Sequence, residues 1–121
     1  MAVVLIVDDS PTELHLFQNM LEKNGFETLV ADSGEEGLRQ ARSAKPDCIL
    51  MDVVMPGMNG FQATRKLTQD PATAEIPVIM ITTKDQETDK IWGMRQGAVE
   101  YLVKPIEEQQ LVAKINAVTV V

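Results

Sequence analysis

Val3-Val4-Leu5-Ile6-Val7-Asp8-Asp9-Ser10-Pro11-Thr12-Glu13 carries the plan of the fold in miniature. Five aliphatic residues, four of them β-branched, stop at a pair of aspartates. A run this short with no polar alternation reads as a strand buried on both faces, as in a parallel sheet. Ser10 then caps a helix, with Pro11 at its first position and Glu13 three residues after the cap, the spacing of a capping box. Leu14, Phe17 and Leu21 keep one helical face apolar, and Asn24-Gly25 supplies the stop.

The same order recurs along the chain. Cys48–Met51 is apolar and ends at Asp52, Val78–Ile81 ends at Thr82, and Val99–Val103 ends at Lys104-Pro105. Phe26–Ala31 is a weaker fifth run. Between them, Ser33-Gly34-Glu35-Glu36 repeats the capping pattern ahead of Leu38 and Ala41, and Lys45-Pro46 closes that helix. A third helix is expected from Gly60 to about residue 68, a fourth from near Asp85 to Gln96-Gly97. A fifth follows Pro105, carrying Leu111, Val112, Ile115 and Val118. Five strand–helix units in alternation predict a doubly wound α/β sandwich with helices on both faces. Asp70–Ala74 reads as the floppiest connection.

Composition narrows the function. The chain has 121 residues, 45% hydrophobic and 24% charged, an ordinary single globular domain. One cysteine, Cys48, excludes an internal disulfide, and one histidine, His15, leaves too few soft ligands for a transition-metal site. Net charge is 11 − 18 = −7 without a Lys/Arg run, a poor match to nucleic acid or an anionic membrane. No secretory signal and no membrane-length apolar stretch is visible, so the expected location is the cytoplasm. The expectation is one domain over residues 1–121 with no output domain. Only Ala117–Val121 follow the fifth helical pattern, and the apolar Val118–Val121 either extends that helix or contacts a neighbour.

The strand ends carry the chemistry. In an open parallel sheet, ligands bind outside the carboxyl ends of the strands. Asp8, Asp9, Asp52, Thr82 and Lys104 should therefore converge on one cleft. Three carboxylates held together repel unless neutralised, and a hard cation such as Mg²⁺ suits them. A cation, a lysine and a hydroxyl together suit the oxygens of a phosphoryl group. One carboxylate can then act as nucleophile and become an aspartyl-phosphate. Asp52 is the candidate, because it stands alone on a central strand before the tight turn Met55-Pro56-Gly57-Met58-Asn59-Gly60.

With these residues placed, the sequence resembles a response-regulator receiver domain. Val7-Asp8-Asp9-Ser10, Met51-Asp52 with Met55-Pro56 and Gly60, Thr82-Thr83-Lys84, and Lys104-Pro105 occur in that family's order and spacing across essentially the whole chain. The resemblance implies a flavodoxin-like (βα)5 sheet of strand order 2-1-3-4-5. It implies that Asp52 accepts a phosphoryl group from a histidine kinase or phosphotransfer domain. Asp9, Asp52 and the backbone carbonyl of Val54 would bind Mg²⁺, with Asp8 acting through water. Lys104 would pair with the phosphoryl group, and Thr82 would bond one of its oxygens and shift inward. Tyr101 would be the switch aromatic, moving from exposed to buried, and Lys104-Pro105 a cis peptide. Two positions depart from the commoner pattern: Val54 is apolar two residues after the acceptor, and Thr83 stands where many members carry Ala or Gly.

The resulting expectation is a monomeric signalling module that catalyses only its own phosphorylation and dephosphorylation. Its output would be protein binding through the face of the fourth helix, fifth strand and fifth helix, or phosphate buffering for another receiver. A flavodoxin-like electron carrier would need a phosphate loop where Asp8-Asp9 would repel the flavin phosphate. A haloacid-dehalogenase-type hydrolase would need a second aspartate where Val54 stands. Blander roles sit beside these. Asp8-Asp9 also suits a helix entry. His15 reads as solvated, although one turn into the first helix it lies near the family's kinase-docking face. Cys48 reads as a small core hydrophobe. Ile91 and Trp92 read as packing or as a partner contact, and Met55 and Met58 as exposed to a partner.

Overall fold

The computed structural model of the chain describes residues 2–119. Five strands, β1 (Val3–Val7), β2 (Glu27–Ala31), β3 (Cys48–Met51), β4 (Val78–Thr82) and β5 (Glu100–Val103), form one parallel sheet of order β2-β1-β3-β4-β5. Five helices alternate with them: α1 (Pro11–Lys23), α2 (Gly34–Ala44), α3 (Gly60–Gln69), α4 (Glu87–Arg95) and α5 (Glu108–Val118). This is the flavodoxin-like (βα)5 order that the resemblance implied. Among the described residues, no helix is long and apolar enough to cross a membrane.

The aliphatic runs are strands because both of their faces are covered. Val4 and Ile6 of β1 pack with Leu50, Ile79 and Ile81 against Phe17 and Leu21 of α1 and Leu111 and Ile115 of α5. Leu5 and Val7 point the other way, joining Ile49 and Met51 against Ala41 of α2 and Ala63 and Leu67 of α3. A third cluster, Val53, Met80, Ala98 and Tyr101, lies beneath the β5 side of the sheet. Side chains alternate across a strand, so a continuous run feeds both layers.

The helix boundaries follow local chemistry. The side chains of Ser10 and Ser33 accept the backbone N–H groups of Glu13 and Glu36. Neither glutamate completes a box: Glu36 turns to Arg39 and Gln40, and Glu13 turns to Lys104. A reciprocal box sits on α3, where Asn59 and Gln62 exchange hydrogen bonds of 2.9 and 3.0 Å. The connection at Asp70–Ala74 is anchored, contrary to the sequence expectation. Thr73 is buried and donates to the Leu67 carbonyl at 2.7 Å, Lys45 holds the Ala72 carbonyl, and Arg42 pairs with Asp70. α5 ends at Val118 with Thr119 as its cap, and the remaining tail residues Val120-Val121 lie outside the described residues.

Candidate functional site

The hydrogen-bond ladder runs one residue past the strands and so builds the site. The Asp8 N–H donates to the Ala31 carbonyl at 3.1 Å, that of Asp52 to Val7 at 2.9 Å, and that of Lys104 to Thr82 at 2.8 Å. Asp8, Asp52, Thr82 and Lys104 are thereby held at one end of the sheet, where strands of a parallel sheet release their chains toward a ligand. Asp9 completes the cluster: Asp8, Asp9 and Asp52 each place a carboxylate oxygen within 4.8 Å of the others. Asp8 and Asp52 are buried, and Asp9 is exposed.

Lys104 is the counter-charge. Its Nζ lies 3.0 Å from Glu13, 3.1 Å from Asp8 and 3.8 Å from Asp52, and 5.9 Å from the centroid of the Phe17 ring. Burial opposes the Lys104 charge, but Glu13, Asp52 and Asp8 more than offset it and hold the ammonium above its ordinary pKa. One lysine does not balance the cluster. Burial first, then the Asp8 charge, push the Asp52 carboxyl up to about 6, against the pull of Lys104 and the Val53 N–H. Three clustered carboxylates, two of them buried, carry excess negative charge and offer hard oxygen ligands that fit a hard divalent cation, so the donor chemistry agrees with the metal implied by the resemblance.

The turn after Asp52 is shaped by two glycines. Gly57 takes φ 72, and a Cβ at Gly60 would lie 2.1 Å from the Asp52 carbonyl oxygen. Only glycine lets α3 start this close to the end of β3. Val54 is exposed, whereas Met55 is buried with Met51 and Leu67, which corrects the expectation that it faces a partner. Met58 is half-buried, and its side chain packs on Gly34.

Two further side chains meet at the β4–α4 connection. Thr82 is fully buried, and its Oγ1 accepts the Lys84 N–H at 3.2 Å. Tyr101 is buried on the edge strand, and its hydroxyl donates to the Lys84 carbonyl at 2.8 Å. Burial, then Asp89 and Asp85, push the Tyr101 hydroxyl up to about 12, so it remains a donor at neutral pH. Gly93 makes room for that ring: a Cβ there would lie 2.9 Å from Tyr101 Cδ2. Lys104-Pro105 is cis. His15 is exposed, Cys48 is buried with its thiol pushed by burial to about 12, and Ile91 and Trp92 are exposed.

Every candidate side chain singled out at a strand end therefore reaches the same end of the sheet. The sequence reading missed the α1 contribution. Glu13 and Phe17, four residues apart, present one helix face to Lys104. Their spacing was visible, but the capping pattern already accounted for Glu13 and the core pattern for Phe17.

Comparison with known proteins agrees with this geometry. The model of the response regulator receiver domain matches residues 4–116. Protein PilH of Pseudomonas aeruginosa is 61% identical over 98% of both chains. Response regulator PleD of Caulobacter vibrioides is 41% identical over 98% of this chain, which spans 26% of that protein. The crystallised chemotaxis protein CheY4 of Vibrio cholerae superposes with a TM-score of 0.91 at 34% identity, covering 98% of each chain. The family match over residues 4–116, the similarity over nearly the whole of both chains and the shared fold lead to one conclusion: the chain belongs to the response regulator receiver domain family.

Proposed function

We propose that this chain is a receiver whose Asp52 accepts a phosphoryl group from a histidine kinase or phosphotransfer domain. The observation that carries the reading is Asp52 itself. It is a buried carboxylate beside Asp8 and Asp9, with the Lys104 ammonium 3.8 Å away. With a pKa near 6 it is mostly ionised at neutral pH, as a nucleophile must be.

Asp9, Asp52 and the Val54 carbonyl would hold Mg²⁺, with Asp8 acting through water; the ion would neutralise the carboxylates and the phosphoryl oxygens. Lys104 would pair with a phosphoryl oxygen. Thr82 would exchange its Lys84 N–H contact for another oxygen and move inward. Tyr101 is already inside, so the expected exposed-to-buried movement would begin from a conformer other than this one. The two conformers form the population that phosphorylation biases.

The output would be protein binding through α4, β5 and α5. Exposure of Ile91, Trp92, Val99 and Val103 along that side supports the choice. Similarity to PilH over nearly the whole of both chains supports a place in the control of type IV pilus twitching motility. A single domain over residues 1–121, monomeric, in the cytoplasm, without nucleic-acid or membrane contact and without turnover of an outside substrate, completes the reading. Phosphate buffering for another receiver is the alternative output. Family membership sets aside the electron-carrier and hydrolase alternatives.

The test is intact-mass spectrometry after incubation with Mg²⁺ and acetyl phosphate. One added phosphoryl group is expected, absent in Asp52→Ala and in EDTA. If no adduct forms and beryllofluoride also leaves the amide spectrum unchanged, Asp52 is not an acceptor.

A further inference from the structure

We propose that Glu13 is a positioning residue for Lys104, one that competes with the incoming phosphoryl group for its ammonium. The inference rests on the acceptor reading of Asp52 above.

Glu13 is three residues after the Ser10 cap, where a capping box would turn its side chain back to the Ser10 N–H. That N–H is instead taken by Asp8 Oδ1 at 2.9 Å, and the Glu13 carboxylate lies 3.0 Å from Lys104 Nζ. The lysine is thus nearer Glu13 and Asp8, at 3.1 Å, than the acceptor Asp52, at 3.8 Å. An ammonium has three N–H donors, and two partners already face it.

The two nearby carboxylates differ in their freedom to let go. The Asp8 side chain is 4% exposed, enclosed at the end of β1. The Glu13 side chain is 30% exposed, on the rim of an apolar groove lined by Leu16, Thr83, Pro105 and Ile106. Glu13 can turn into water at small cost, whereas Asp8 would lose its partner inside the protein. Glu13 therefore occupies Lys104 in the resting site and releases it when a better anion arrives.

With acetyl phosphate as donor, an Asp52 carboxylate oxygen bonds to phosphorus while the bond from phosphorus to the acetate oxygen breaks. Acetate leaves with that electron pair. The phosphoryl oxygens bring their negative charge beside Lys104, which must turn from Glu13 toward them. The effect is to slow phosphoryl capture, not to perform it.

The experiment measures the rate of adduct formation from acetyl phosphate and the half-saturating beryllofluoride concentration, both with Mg²⁺. Glu13→Gln keeps the shape and removes the charge. It should speed adduct formation and tighten beryllofluoride by about two- to fivefold, the range of a partly exposed ion pair. Glu13→Ala should do the same, which guards against a folding defect peculiar to one variant. In a Lys104→Met background the gain should vanish, since the coupling runs through that lysine. A purely structural role would shift thermal stability without this coupling. Unchanged or slower capture in both Glu13 variants, or the same gain without Lys104, overturns the proposal. Failure of the wild-type protein to take either group overturns the acceptor reading and this inference with it.

Discussion

Asp52 shows how a single residue trades stability for chemistry. Its folded pKa of about 6 lies above the ordinary 3.8, so the folded protein holds a proton more tightly than the unfolded chain. The stability this proton supplies is fully present below about pH 4 and is lost as pH rises through 6. In EDTA, Asp52→Asn should therefore be more stable than wild type at pH 7.5, by about 1–3 kcal/mol. The difference should close as the pH is lowered toward 4, which melting curves across that range would show. A difference that grows on acidification would contradict the burial argument. Thr64 offers a simpler case. It is fully buried on α3, and its hydroxyl has no hydrogen-bond partner among the described residues. Thr64→Val removes the unmet polar group at nearly constant volume and should raise stability by about 1 kcal/mol, read from the denaturation midpoint.

At the scale of elements, β3 and α3 are locked by Gly60. A methyl group there would collide with the Asp52 carbonyl oxygen at 2.1 Å and with the Val53 backbone at 2.8 Å. These are backbone atoms that cannot rotate away. Gly60→Ala should cost about 3 kcal/mol or more and displace the acceptor, so phosphoryl capture should fall even below the melting temperature. Retention of wild-type stability would mean that α3 can move without cost. The same element shows where the sequence was readable and where it was not. The helix start at Gly60 was read from the sequence, whereas Asn59 was read only as part of the preceding turn, and the structure makes it the cap of a reciprocal box with Gln62. The patterns Ser10–Glu13 and Ser33–Glu36 have the same spacing, yet their glutamates are drawn to Lys104 and to Arg39. A cap motif names a possible hydrogen bond. Charged partners brought up by the fold decide whether it forms.

At the scale of the whole molecule, the ends of four of the five parallel strands gather the carboxylate cluster, Thr82 and a single lysine, with an excess of negative charge. A cation bound only by the folded state stabilises by mass action, about 2.7 kcal/mol at a hundredfold excess over its dissociation constant. Raising Mg²⁺ should therefore raise the melting temperature of the wild-type protein until the site saturates. Asp9→Asn should flatten that response without unfolding the chain, because Asp9 is exposed. An identical Mg²⁺ response in Asp9→Asn would place the ion elsewhere. In saturating Mg²⁺ the order of wild type and Asp52→Asn should narrow or reverse, since the ion relieves the repulsion that neutralising Asp52 relieves in EDTA.

The sequence by itself determined the elements, their alternation and the strand-end residues. Short aliphatic runs can be satisfied only by burial on both faces, and each ends where the chain must return to water. Asp8, Asp52, Thr82 and Lys104 were legible for that reason. Strand order was not readable from periodicity and came from the resemblance. Only the tertiary structure decided the contacts made across long separations. It turned Glu13 and Phe17 to Lys104, tied Tyr101 to the Lys84 carbonyl, buried Met55 and pinned Asp70–Ala74 through Thr73, Lys45 and Arg42. Local spacing says which face of an element a side chain occupies. Which charge or carbonyl waits opposite that face depends on the packing of elements far apart in the chain.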